Sequence, residues 1–153
     1  MGATYKLYIV NEQKLPLQDR YFGLTDQAKQ EMLVKSVETT GAAWETLELR
    51  ESAFRAALEA IDEEIGGTKF LPVLAFNNSP GNVLGNYGDC PLFGYFTPAQ
   101  AQDLNACLEE LDEGVTADLV AKCGPVAETV LHAFASAASE AAQRRAAIAV
   151  LHL

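Results

Sequence analysis

Reactive and basic side chains are scarce in this chain: two histidines and three cysteines in 153 residues, and 11 Lys and Arg against 21 Asp and Glu. Cys90, Cys107 and Cys123 are odd in number, form no C-x-x-C pair and have no neighbouring histidine, which excludes a disulfide framework and a sequence-encoded zinc site. Free thiols without an export signal favour a reducing cytosol, so a cytoplasmic protein is expected. A formal charge of −10 repels a phosphate backbone, because nucleic-acid binding needs clustered cations that release counterions. No long apolar run is present, so no membrane span is expected, and no basic-then-apolar leader opens the chain. No cofactor is implied. Gly81, Gly85 and Gly88 are spaced neither as a dinucleotide fingerprint nor as a phosphate loop, and no base lies between Lys69 and Lys122. No G-x-S-x-G elbow is present either.

What is present is enough apolar sequence, 49%, for one compact core, so residues 1–153 are read as a single domain. ATYKLYIV, Ala3 to Val10, alternates as a first strand. Thr25 caps a helix beginning DQAKQEMLVKSVE, after which Gly41 and the lone Trp44 interrupt the pattern. Phe54, Ala57, Leu58, Ile61 and Ile65 recur at helical steps before Gly66-Gly67, with Glu51, Glu59, Asp62, Glu63 and Glu64 on the solvated side. KFLPVLAF, Lys69 to Phe76, predicts a short central strand that Pro72 confines to an edge or a strand start.

Thr97-Pro98-Ala99-Gln100 is a capping box with proline at the first helical position. The helix it starts buries Ala101, Leu104, Leu108 and Leu111, with Cys107 beside them, and ends by Gly114. A short helix from Thr116 to Lys122 stops at Gly124, Pro125 opens a long alanine-rich helix through Arg145, and AIAVLHL closes the sequence as a strand beside the first. The fold expected is α/β in the α+β sense: a small mixed sheet with first and last strands paired, covered by four or five helices.

The passage LPVLAFNNSPGNVLGNYGDCPLFGYFTPAQAQDLNACLEEL, Leu71 to Leu111, resembles the YfbM-like family of uncharacterised bacterial proteins, in its apolar strand, glycine-containing loop, aromatic before a Thr-Pro helix start and amphipathic helix. The resemblance implies a small α/β protein of bacterial origin with no established activity, and it carries over no catalytic residue.

Two readings of function follow from the residues themselves. The first is a non-catalytic binding module acting through the loop Asn77–Tyr95, with Asn77, Asn78, Asn82, Asn86, Tyr87, Asp89 and Tyr95 as contact residues, or through acidic helix faces. One form of it is an immunity or antitoxin-like protein whose negative charge attracts a basic protein partner. The aromatics Tyr87, Phe93, Tyr95 and Phe96 are read mainly as anchors that plug the loop onto the core.

The second is a thiol-dependent enzyme or sensor built from Cys90 with His132 or His152, since a thiol nucleophile needs an imidazole, a cation or a helix N-terminus to ionise. The ordinary alternative for Cys90, and more so for Cys107 and Cys123, is a small buried side chain. His132 shares a helix face with Glu128, Ser136 and Glu140, the spacing of surface pairs, and Glu109 and Glu113 read as solvent-facing acids on one helix face. A structural, homo-oligomer-forming domain is the third class considered.

Overall fold

A computed structural model describes residues 2–15, 18–65 and 93–152. Strand β1 (Ala3–Val10) is followed by two short 3-10 turns, Glu12–Lys14 and Gln18–Tyr21, then α1 (Asp26–Thr40), β2 (Ala42–Leu49) and α2 (Glu51–Glu64). After the central segment come β3 (Phe93–Phe96), α3 (Pro98–Glu109), α4 (Glu113–Cys123), α5 (Pro125–Arg144) and β4 (Ala147–His152). The four strands form one sheet in the order β2-β1-β4-β3. The α+β domain with its first and last strands paired is the expected one; the sheet, expected as mixed, is antiparallel in each described ladder.

Alternation along β1 divides the interior into two cores. Tyr5, Leu7 and Ile9 face α2, α3, α4 and α5, together with Ile148 and Val150 of β4 and Phe96 of β3. Tyr8 and Val10 face the other way, with Ala147, Ala149, Leu151 and Tyr95, onto Leu33 and Val37 of α1 and onto Leu15 and Tyr21. β4 is buried on both faces, which is why AIAVLH reads as a continuous apolar run. Five of the eight buried residues of α5 are alanines, and their small side chains let this helix lie close to the sheet and its neighbouring helices.

Local chemistry explains most helix ends. Thr25 Oγ1 accepts from the Ala28 N–H at 3.2 Å, and at α3 the Gln100 N–H donates to Thr97 Oγ1 while the Thr97 N–H donates to Gln100 Oε1 at 2.9 Å. Gly124 adopts φ 80°, in which it ends α4 and hands the chain directly to Pro125 at the start of α5.

Several expectations are corrected. Residues 42–49, read as an interruption, form β2, an edge strand among the described residues. Asp62 is not on the solvated side of α2: it is 4% exposed, and it has a partner there. α4 begins at Glu113, not Thr116, because Asp112 caps it by accepting from the Val115 N–H at 2.9 Å; Gly114 therefore lies inside a helix rather than ending one. Glu109 and Glu113 consequently belong to different helices, and Leu111 packs in the turn between them. The strand expected at Lys69–Phe76 and the glycine cap at Gly66-Gly67 lie outside the described residues.

Candidate functional site

Asn77, Asn78, Asn82, Asn86, Tyr87, Asp89 and Cys90 lie outside the described residues. Tyr95 is fully buried in the α1-side core, so its ring anchors β3 rather than meeting a partner, and Phe96, 1% exposed, plugs the opposite core. His132 is exposed on α5, 4.0 Å from Glu128, the surface pairing expected from spacing. His152 ends β4 opposite Tyr5 and stacks on its ring at 4.6 Å, while Phe54 stacks on Tyr5 at 3.9 Å. Cys107 and Cys123 are free and half-buried, and the Cys123 thiol lies 3.8 Å from the Ala56 carbonyl oxygen. Among the described residues, no three His, Cys, Asp or Glu side chains are placed to hold a metal ion, and no helix is long and apolar enough to cross a membrane.

Charge is distributed unevenly over the two sides of the sheet. Residues 51–64 and 98–144, which span α2 to α5, carry thirteen carboxylates and three bases, and the remainder of the chain carries eight of each. The whole formal charge of −10 therefore belongs to the helical layer on one side. Glu59, Glu63, Glu110, Glu113 and Asp118 are all exposed there. The ion pairs Lys122–Glu64 at 3.7 Å and Arg144–Glu140 at 2.6 Å engage two of the three bases.

At one end of the sheet the sign reverses. The end of β1, the start of β2 and the junction of α5 with β4 frame a cleft of about 440 Å³, lined by Asn11, Gln13, Lys14, Thr40, Arg144 and Arg145 with Ile9, Ala42 and Ala146. A second cavity of about 360 Å³ shares Asn11, Gln13 and Arg145 and adds Glu12 and Pro98, the first residue of α3.

The side chains of this cleft are held in different ways. Asn11 is fixed by its own turn, its Oδ1 accepting from the Gln13 N–H at 3.0 Å. Arg144 donates from Nε to Glu140 and lies 5.9 Å from the Trp44 ring centre. Trp44 reaches that place because β2 has a bulge: Leu7 pairs with Glu45 and Tyr8 with Ala43, so Trp44 is the extra residue, and its Nε1–H donates to Ser136 Oγ at 2.9 Å. Burial pushes the Tyr95 phenol far above its ordinary pKa, and the nearby Glu12 charge adds to the shift. Lys14 and Arg145 have no ion pair among the described residues.

Arg145 has the one non-glycine positive φ among the described residues, φ 53° and ψ 41°. It closes α5 in a Schellman arrangement, with the Ala146 N–H donating to the Ala141 oxygen at 2.8 Å and the Arg145 N–H to the Ala142 oxygen at 3.3 Å. Glycine or asparagine ordinarily fills that position. Sequence reasoning did not single out this cleft. The available signal was Arg144-Arg145, the one adjacent pair of bases in an acidic chain. Compared with family models, curated proteins and solved structures, the chain finds no match.

Proposed function

We propose that this protein is a non-catalytic binding module whose acidic helical layer docks a basic protein partner. The observation that supports the reading is the segregation of charge: the full excess of carboxylates lies on α2 to α5, on one side of the sheet, and the rest of the chain is formally neutral. A one-signed face accelerates encounter with an oppositely charged surface and fixes its orientation, an effect that salt suppresses over about 10 Å at 0.1 M. An immunity or antitoxin-like role, and descent shared with the YfbM-like proteins, are the specific forms of this proposal.

The test is titration calorimetry of the chain against a panel of basic proteins at low and high salt. Glu59, Glu63, Glu110 and Glu113, exposed in the acidic layer, are reversed to lysine in one variant. In the control, Glu31 and Glu38, exposed on α1 across the sheet, are reversed instead. A salt-sensitive complex lost in the first variant and kept in the second is expected. No salt-dependent complex with any basic partner, or equal loss in both variants, overturns the reading.

A further inference from the structure

We propose that the cleft at the sheet end binds a small oxyanion, a carboxylate or a phosphate group, between Lys14 and Arg145. The inference does not rest on the acidic-face reading, since the cleft is lined by other residues and has the opposite charge. Cations near a helix C-terminus ordinarily serve the helix dipole, and that accounts for Arg144, which is also engaged by Glu140 and Trp44. It does not explain why an arginine stands at position 145, where the left-handed backbone suits glycine or asparagine. Nor does it account for Lys14, which comes from the turn after β1 and lines the same cleft.

An arginine fork and a lysine ammonium, both lining one cleft and both without ion-pair partners among the described residues, match the charge of an oxyanion. The Gln13 side-chain amide beside them supplies a neutral donor, while the Thr40 hydroxyl donates to the Ser36 carbonyl oxygen at 2.7 Å. Glu12 repels an anion, but it lines the smaller cavity and not the larger one, which leaves the Lys14 side of the larger cleft as the seat of the ligand.

The experiment is a two-dimensional amide NMR titration of the whole chain with inorganic phosphate and, separately, with succinate, each against sodium chloride at matched ionic strength. Saturable shifts are expected at Asn11–Lys14 and Arg144–Ala146, and the responding probe identifies the group as phosphate, carboxylate or either. Arg145→Asn keeps a residue suited to the left-handed backbone, and Lys14→Gln alters an exposed turn; each is expected to weaken binding about tenfold through loss of a charge-assisted contact. Lys35→Gln, an equal change in charge on α1 outside the cleft, leaves affinity unchanged. Absence of saturable shifts with both probes overturns the proposal. So does unchanged affinity in Lys14→Gln and in a folded Arg145→Asn, or an equal loss in Lys35→Gln.

Discussion

A Cβ placed on Gly41 would sit 2.6 Å from the Val37 carbonyl oxygen and 3.3 Å from two carbons of Tyr8. Its φ of −80° suits any residue, so space rather than backbone freedom demands glycine between α1 and β2. Gly41→Ala is expected to destabilise the fold by about 1–3 kcal/mol in urea unfolding, as an overpacked site does. Tyr21 presents the reverse case: it is buried, and its hydroxyl finds no hydrogen-bond partner among the described residues. Tyr21→Phe should leave the melting temperature unchanged or raise it, because an unsatisfied buried hydroxyl carries a desolvation cost of about 1–3 kcal/mol. A clear fall in stability would reveal a partner for that hydroxyl.

The phenols also set the response to alkali. Burial raises Tyr5 to about 12, with the Glu51 charge adding to it and Arg55 opposing, and burial likewise raises Tyr8, Tyr21 and Tyr95. A phenol harder to ionise in the folded chain than in the unfolded one contributes stability that is whole below pH 10 and lost as pH rises through the folded value. Stability should therefore decline between pH 10 and about 12. Absorbance of phenolate at about 295 nm should lag in the native protein and rise with unfolding; free ionisation of these tyrosines near pH 10 without unfolding would contradict the burial.

Among elements, those with a strong local signature were legible in the sequence. β1, α1, α2, α3, α5 and β4 follow from alternation, helical stripes and the caps at Thr25, Thr97 and Pro125. β2 was not, for two physical reasons: an edge strand buries few side chains, here mainly Leu47, and the bulge at Trp44 breaks the alternation that would reveal it. β3 was hidden because its aromatics face opposite cores, Tyr95 one and Phe96 the other, within a glycine-rich stretch. The cleft was illegible for a different reason, since Lys14 and Arg145 meet only through the pairing of β1 with β4. The caps make a quantitative test at this scale: Thr97→Ala removes one arm of the capping box and should cost about 1 kcal/mol, measured by urea unfolding.

For the whole molecule, concentrating the charge of −10 on one helical layer makes that layer repel itself. Added salt should therefore raise the melting temperature before any specific ion effect, and the Glu59, Glu63, Glu110 and Glu113 reversal should flatten that dependence by relieving the repulsion. A melting temperature independent of salt would mean that the carboxylates are too widely spaced to interact.

The central ladder has a further consequence for the chain as it is made. Of the described elements β1 leaves the ribosome before the others, yet one of its two neighbours, β4, follows all of them, with Tyr5 opposite His152 and Val10 opposite Ala147. Until β4 is released, the apolar edge of β1 has no lasting mate, and the nascent chain depends on β2, its helices or a chaperone to shield it. Resistance to protease should accordingly appear only once β4 has emerged, and a chain stalled before Ala147 should remain cleavable throughout.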